Sequence, residues 1–257
     1  MTPSAAGIAR RLEQILGDAG PDSGAGVRDV RIGVRYTAVA VGRGCGVAYS
    51  VSEQPVRSCA HFDGARPLAA RSGADLIRFL RSPHPVETAV GLAAANALAN
   101  RARSDLTEGD ILEFVRLNPG DDVAMVGHFG PLVAPVKARV RSLRILERVQ
   151  RPQGDLIPVE RAPEVLGSSQ VALITSSSLI NHSIDVLLEE AENCREVVLL
   201  GASTPLVPEA FRGTPVTCLS GIVVEDTKSV LRVVGEAGGM RQLSPFVRKV
   251  NLPLVRT

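Results

Sequence analysis

Five short apolar runs, with helical segments between most of them, constrain the fold of the second half of the chain. Each run has five or six residues, and we interpret them as strands: VAMVG (123–127), SLRILE (142–147), VALITS (171–176), EVVLLG (196–201) and VTCLSG (216–221). Near-continuous apolar strands are typical of parallel sheets that helices cover on both faces. The pattern predicts a Rossmann-like, doubly wound parallel sheet within a domain spanning residues 106–257.

The first half follows a different pattern, with strands first and helices afterwards. Alternation in VRDVRIGVRYTAVAV, followed by GCGVAYSV, predicts a hairpin, and two later segments, SGADLIRFLRS and PHPVETAVGLAAANALANRA, predict helices. The pattern changes at the turn LNPGDD, which we expect to end a short helix begun near Leu106. The predicted class is therefore α/β, with an α+β domain over residues 1–105 followed by the Rossmann-like domain.

Composition limits the partners of the chain. A formal net charge of +2, the absence of Trp and the presence of only two Tyr provide neither a basic face nor stacking platforms for nucleic acid. No window approaches the roughly 20 uninterrupted apolar residues of a membrane span, and the amino terminus lacks the apolar core of a signal peptide. We expect a cytoplasmic protein with a small-molecule ligand and with no nucleic-acid or membrane partner. A homodimer is an open alternative to a monomer.

Cysteine and histidine spacing predicts no local metal site. The four cysteines form no Cys-x-x-Cys pair, and the four histidines are dispersed along the chain. Transition-metal sites need convergent ligands. His61, His128 and His182 could still meet through tertiary folding, so a metal ion stays open as an alternative ligand.

The glycine turn GHFGP follows the first predicted parallel strand, where open parallel sheets bind ligands. His128 and Phe129 stand between Gly127 and Gly130, where a dinucleotide fingerprint needs small residues beside a pyrophosphate. Glu147 ends the next strand, 147 − 127 = 20 residues later, at the spacing of a carboxylate that binds ribose hydroxyls. These residues predict an adenosyl ligand without phosphates, of which S-adenosylmethionine (SAM) is the obvious one. The alternative is a plain turn beside a solvated carboxylate.

Polar residues also follow the strand VALITS. Thr175, Ser176 and Ser177 stand at its end, and we expect Asn181 and His182 in the first turn of the next helix. Hydroxyls and free amide groups at a helix start can hold a carboxylate or another anion. The alternative is a capped helix with Asn181 bonded locally.

The segment GASTPLVPEAF repeats this arrangement after the next strand, with Gly201, Ser203 and Thr204 as candidate ligand contacts. It resembles the nucleophile elbow of hydrolases. Pro205, however, stands where the elbow needs its second glycine for tight packing of strand against helix. Ser203 is therefore a weak nucleophile candidate, and serine hydrolysis is disfavoured.

The order and spacing of several segments are similar to those of the putative heavy-metal-chelation family over nearly the whole chain. They include RIGVRYTAVAV, ETAVGLAAANALAN, VAMVGHFGPLV, TSSSLINHSIDVLL, VVLLGASTPLVPEAF and VLRVVGEAGGMRQLSPFVRKV. The resemblance implies an enolase amino-terminal-like domain before the Rossmann-like one, with a ligand site in the cleft between them. It also implies a link to SAM chemistry in which the aminobutyrate arm closes into a small cyclic amino acid and methylthioadenosine is released.

We therefore hypothesise a small-molecule enzyme that binds SAM over the glycine turn and Glu147. Cyclisation requires a folded arm, exclusion of water and a group that accepts a proton. Tyr36 and Tyr49 could face the sulfonium, although their strand context also suits half-buried structural residues, and His128 or His182 could act as the base. A conventional methyltransferase and a non-catalytic binder of a metal or metal–chelator complex are the alternatives.

Overall fold

The computed structural model describes residues 7–18, 22, 24–50 and 66–256, and its strands form two sheets. The smaller sheet is antiparallel, in the order β1-β2-β3, and pairs its strands as two consecutive hairpins. Its strands are β1 (Val27–Ile32), β2 (Tyr36–Val41) and β3 (Gly44–Tyr49).

The larger sheet has eight strands in the order β4-β11-β10-β9-β8-β5-β6-β7. Six neighbouring strands of this sheet are parallel, namely β10, β9, β8, β5, β6 and β7, and β11 and β4 add antiparallel pairs at one side. Numbered along the chain, the parallel strands have the 3-2-1-4-5-6 order of the Rossmann fold, which confirms the predicted class. The strands are β4 (Thr107–Glu108), β5 (Asp122–Val126), β6 (Ser142–Glu147), β7 (Leu156–Pro158), β8 (Val171–Thr175), β9 (Glu196–Leu200), β10 (Cys218–Val224) and β11 (Val247–Pro253).

Eight α-helices cover the sheets in the described part of the chain. Three belong to the first half, where α1 continues into a π-helical turn over Glu13–Asp18, and five to the second. They are α1 (Ile8–Leu12), α2 (Gly73–Ile77), α3 (Pro85–Ala99), α4 (Gly130–Lys137), α5 (Ala162–Gly167), α6 (Ile184–Glu190), α7 (Thr227–Gly235) and α8 (Met240–Leu243).

Helix α3 packs against β3 with unusually little space between the two backbones. A Cβ atom on Gly44 would overlap the carbonyl oxygen of Ala97, and one on Gly46 would overlap backbone atoms of Ala93 and Ala97. The helix is rich in alanine and is buried along nearly its whole length. Small residues on both elements therefore allow an approach that ordinary side chains would prevent.

The two sheets share hydrophobic cores. The largest cluster of buried side chains contains residues of α3 together with residues of β5, β8 and β9. A second cluster places Ala38 and Val47 of the small sheet against Val230 and Val234 of α7. Each sheet thus packs against elements from the other half of the chain, which fixes their relative position.

Three details of the predicted secondary structure were wrong. The strand expected at 216–221 is shifted to Cys218–Val224, and it continues through Gly221, where a Cβ would lie 3.1 Å from the Thr204 carbonyl oxygen. The helix expected near Leu106 is replaced by β4 and a single 3₁₀ turn at Ile111–Glu113. The short strand β7 and the outer strand β11 were not predicted. Within the described residues, the structure has no helix both long and apolar enough to cross a membrane.

Substitution of Gly44 by alanine should destabilise the protein, because the new Cβ would displace the backbone of α3. We expect a loss of about 2–3 kcal/mol in the free energy of unfolding, the upper range for overpacking, measured by urea denaturation. Gly120→Ala is the matched control, since a Cβ at Gly120 meets open space, and it should change stability by less than about 0.5 kcal/mol. Equal stability of the two variants would contradict the close packing described for α3 and β3.

Candidate functional site

Most of the predicted site residues lie around one cleft at the carboxyl edge of the large sheet. The cleft has a volume of about 730 Å³ and lies over the ends of four adjacent parallel strands, β6, β5, β8 and β9. The order of the strands reverses between β5 and β8, and ligands of open α/β sheets bind at such a switch point. Residues at the ends of β2 and β3 line the opposite side.

Two glycines allow the strand ends to approach one another beneath the cleft. Gly127 follows β5 with φ of +84°, and a Cβ there would lie 3.1 Å from the Thr175 side chain at the end of β8. Gly201 follows β9 with φ of +123°, and its Cβ would lie 3.1 Å from Ser176 Oγ. Both positions need backbone angles that side chains other than glycine rarely adopt.

Glu147 holds the turn that follows β5. Its Oε2 accepts a hydrogen bond from the backbone N–H of His128 at 3.1 Å, and its Oε1 accepts one from the N–H of Arg148 at 2.9 Å. The side chain lies at the cleft and is partly exposed. A carboxylate has about four acceptor positions, so each oxygen keeps capacity for a further donor.

An apolar surface lies next to Glu147. Glu147 pairs with Pro158 across β6 and β7, and the residues that follow, Val159, Ala162 and Pro163, line the cleft. These residues were not predicted, because the strand before them is short and follows a loop rich in charged and turn-forming residues. Only Pro163 gave a signal, as a proline in the first turn of α5.

The hydroxyls after β8 have defined hydrogen-bond partners. Ser176 Oγ donates to the Leu200 carbonyl at 3.1 Å, and Ser178 Oγ donates to the Thr175 carbonyl at 2.6 Å. Thr175 Oγ1 and Ser177 Oγ are 2.9 Å apart and share a hydrogen bond. The protons of the nearly fully buried Ser176 and Ser178 are committed to carbonyls, so these two hydroxyls can act only as acceptors towards any further partner.

Tyr36 and Tyr49 are cross-strand neighbours on β2 and β3, and both line the cleft. Their rings meet edge to face, with centroids 5.9 Å apart and an interplanar angle of 88°. Burial, and to a lesser extent Tyr49, raises the pKa of the Tyr36 phenol, while Arg35 opposes the shift. The phenol is therefore protonated at neutral pH.

Asn96 of α3 and Asn100, which caps the carboxyl end of that helix, hold the segment after β9 against the small sheet. Asn96 Nδ2 donates to the carbonyls of Val47 and Ser203, at 2.9 and 3.1 Å. Asn100 Nδ2 donates to the carbonyls of Thr204 and Ile222, and its Oδ1 accepts from the N–H of Leu206.

The small sheet also contacts this segment directly, because Ser203 Oγ accepts a hydrogen bond from the Tyr49 N–H at 2.8 Å. A detectable signal for the asparagines was present in the sequence. They are polar residues four apart on a helix that is otherwise rich in alanine and leucine.

The structure brings twelve of the predicted site residues to the cleft and places three elsewhere. The twelve are Tyr36, Tyr49, Gly127, His128, Phe129, Glu147, Thr175, Ser176, Ser177, Asn181, Gly201 and Ser203. Their roles in binding or catalysis stay predictions.

Gly130, His182 and Thr204 do not line the cleft. Gly130 begins α4, and Thr204 is fully buried, because Asn100 binds its carbonyl and turns the segment inward. His182 has left-handed backbone angles and lies before α6, with its Nε2 2.8 Å from the Ser82 carbonyl oxygen. Asn181 also precedes α6, so neither residue lies in the first turn of the helix, where both were expected. Asn181 Oδ1 accepts a hydrogen bond from the Ser183 N–H, the local bond of the alternative interpretation.

The described side chains do not fit a metal centre. Over residues 7–18, 22, 24–50 and 66–256, no group of three or more His, Cys, Asp or Glu side chains could hold an ion. His61 lies outside the described residues. Burial raises the pKa of the Cys45 thiol to about 12 and those of Cys194 and Cys218 to about 11, which disfavours the thiolates that metals bind.

Family models cover both halves of the chain. One described as putative heavy-metal chelation matches residues 110–253, and a second with the same description matches residues 14–99. The chain belongs to this family. The predicted resemblance is therefore confirmed.

Relatives extend the likeness without naming a reaction. An uncharacterised protein of Methanocaldococcus jannaschii is 26% identical over 155 residues, which are 57% of this chain and 58% of that protein. The aligned part thus spans less than two thirds of that relative.

Two crystal structures of family proteins of unknown function share the fold. One, from Pyrococcus horikoshii, has a TM-score of 0.84 at 22% identity and covers 96% of this chain and 100% of its own. The other, from Desulfitobacterium hafniense, has a TM-score of 0.77 at 23% identity, with coverages of 95% and 98%.

Substitution of Asn100 by leucine should destabilise the protein and loosen the segment after β9. The variant would leave the Leu206 N–H and two carbonyls without this buried partner, and each unsatisfied group costs about 1–3 kcal/mol. We expect a loss of at least about 2 kcal/mol in urea denaturation. Asn181→Ala is the control, because Asn181 is exposed and bonds locally to Ser183, and it should cost less than about 1 kcal/mol. Equal losses in the two variants would argue against the Asn100 contacts.

Proposed function

We propose that the cleft binds an adenosyl ligand, with SAM as the first candidate, and that the protein is a small-molecule enzyme. One observation carries the proposal: Glu147 ends the second strand of a Rossmann-ordered sheet, beside the Gly127 turn and inside the cleft. A carboxylate in this position accepts hydrogen bonds from ribose hydroxyls in dinucleotide-binding folds. The remaining acceptor capacity of both Glu147 oxygens supports the same role here.

The turn after β5 favours a ligand without phosphates. Phe129 and His128 both line the cleft immediately after Gly127, where a pyrophosphate would need bare backbone amides. The apolar residues Val159, Ala162 and Pro163 offer a surface for an adenine ring beside the ribose position. A nucleoside joined to an uncharged or cationic arm matches this lining better than a dinucleotide.

Two reactions of SAM remain as candidates, cyclisation of the aminobutyrate arm and methyl transfer to a small molecule. SAM supplies an electrophilic carbon next to a sulfonium in either case. The chain has to fold the arm, exclude water and accept a proton. His128 is the candidate base, since it lines the cleft, whereas His182 does not. The hydroxyls of Ser177 and Ser203 are available to orient the amino-acid end.

A non-catalytic binder of a metal–chelator complex is the second candidate, and the description of the family favours it. The described residues lack a cluster that could hold a bare ion. This candidate therefore requires the chelator to supply most of the ligands, with the cleft recognising the organic part.

Substitution of Glu147 by alanine should weaken SAM binding by roughly 10- to 100-fold, since hydrogen bonds to a charged group contribute about 1.5–3 kcal/mol each. Isothermal titration measures the affinity, and thermal unfolding without ligand shows whether the fold survives loss of the His128 and Arg148 contacts. Glu160→Ala is the matched control, because Glu160 is exposed near the cleft without lining it, and it should bind SAM as the wild type does.

Mass spectrometry after incubation with SAM then separates the reactions. Methylthioadenosine indicates cyclisation or transfer of the aminobutyrate arm, and S-adenosylhomocysteine indicates methyl transfer. Unchanged SAM affinity in Glu147→Ala would remove the basis of the proposal. Tight binding of a metal or metal–chelator complex, with no affinity for adenosyl compounds, would establish the second candidate instead.

A further inference from the structure

The aromatic residues of this chain are few, and three of them line the cleft. The chain has two tyrosines, six phenylalanines and no tryptophan. Both tyrosines line the cleft, together with Phe129. Each of the three side chains is partly buried and packs at the margin of a different hydrophobic core, while also lining the cleft.

The three rings lie towards the β9 side of the cleft. The Tyr49 N–H bonds to Ser203, which follows β9, and Tyr36 packs against Tyr49. The Phe129 ring reaches to the same place, since a Cβ on Gly201 would lie 4.0 Å from its Cε1. Glu147 binds the N–H of His128, the residue before Phe129. A ribose held by Glu147 therefore has its C5′ atom, to which the sulfonium of SAM is bonded, within reach of the Phe129 ring.

One hydroxyl lies near the Phe129 ring and is already committed as a donor. Ser176 Oγ would lie 3.1 Å from a Cβ on Gly201, and it donates its proton to the Leu200 carbonyl. Of the cationic side chains, Arg148 lines the cleft at the β6 end, and Arg35 precedes Tyr36 and acts on its phenol. Ring faces attract a positive centre.

We propose that Tyr36, Tyr49 and Phe129 form an aromatic subsite for a cationic centre of the sulfonium or quaternary ammonium type. The inference rests on the proposed function, and it adds that the cleft selects its ligand by positive charge at this end. SAM carries such a centre, whereas S-adenosylhomocysteine has the same nucleoside and amino-acid arm with a neutral thioether. The subsite therefore predicts a preference for SAM over S-adenosylhomocysteine that depends on the rings.

The experiment compares the dissociation constants of SAM and S-adenosylhomocysteine for the full chain by isothermal titration. Contacts of this kind correspond to roughly two- to thirty-fold in affinity, so the wild type should prefer SAM by that factor. Tyr36→Leu, Tyr49→Leu and Phe129→Leu should each move the ratio of the two constants towards one. Tyr36→Phe and Tyr49→Phe keep the ring faces and should keep the ratio, which controls for loss of the hydroxyl.

Two outcomes would overturn the subsite while leaving the adenosyl proposal intact: equal binding of the two ligands by the wild type, or an equal loss for both in the leucine variants. Circular dichroism identifies any variant that fails to fold, and Phe129→Leu then replaces a failed tyrosine variant.

If neither adenosyl compound binds the wild type, the proposed function fails and the subsite is tested with S-methylmethionine against methionine. Ring-dependent preference for the sulfonium compound, observed by ligand NMR, would keep the subsite. Absence of that preference would overturn it as well.

Discussion

The contact between α3 and the small sheet sets the geometry on which the cleft depends. Gly44 and Gly46 bring the helix onto β3 at backbone distance, and from there Asn96 and Asn100 reach the segment after β9. A bulkier residue at either glycine would push the helix outward and move both amide groups away from their carbonyls. The same close packing that stabilises the first half therefore fixes a segment of the second half, and with it one side of the cleft.

These contacts explain how the segment after β9, which carries no charged side chain near the cleft, adopts one conformation and forms a defined side of the cleft. Carbonyl groups of the segment after β9 are bound by buried amides, and Ser203 is bound by the Tyr49 backbone. The Asn100 amide makes three hydrogen bonds here, and buried polar groups satisfied in this way specify one conformation more strictly than apolar contacts do. On the other side, Glu147 fixes the turn after β5 through the His128 N–H. The side-chain amides of Asn96 and Asn100 thus fix one side of the cleft, and the Glu147 carboxylate fixes the other. The glycines after β5 and β9 add no side chain that would fill the space between them.

The sequence was most informative where burial determines the pattern. Strands β5, β6, β8 and β9 are covered on both faces, so their apolar runs marked them almost to the residue. The predicted bounds of β10 were wrong because a glycine often marks the end of a strand. In the structure, Gly221 lies within β10, where the missing Cβ leaves room for the Thr204 carbonyl. Strand β7 has three residues in a charged region, and nothing in its composition distinguishes it from a loop. The residues that line the cleft after β7 were missed for the same reason.

The candidate site was predictable to the extent that it depends on strand ends. Glu147 and Thr175 end two of the adjacent parallel strands, Gly127 and Gly201 directly follow the other two, and parallel strands bring their carboxyl ends to one edge. His182 and Thr204 lie outside the lining of the cleft, because tertiary hydrogen bonds decide their orientation: His182 bonds to Ser82, and Asn100 bonds to Thr204. The pairing of Tyr36 with Tyr49 follows from the two-residue turn of their hairpin.

The lining of the cleft bears on the difference between chelation and adenosyl binding. Metal centres concentrate imidazoles, thiolates or carboxylates within one coordination shell, whereas the described lining spreads a single carboxylate, hydroxyls and aromatic rings over four strand ends. Groups spread in this way suit an extended organic molecule, because each group can contact a different part of it and no single group has to bind it strongly. A carboxylate on one side and ring faces on the other would also bind an asymmetric ligand in only one orientation. A single metal ion has no orientation, so this arrangement would give it no advantage.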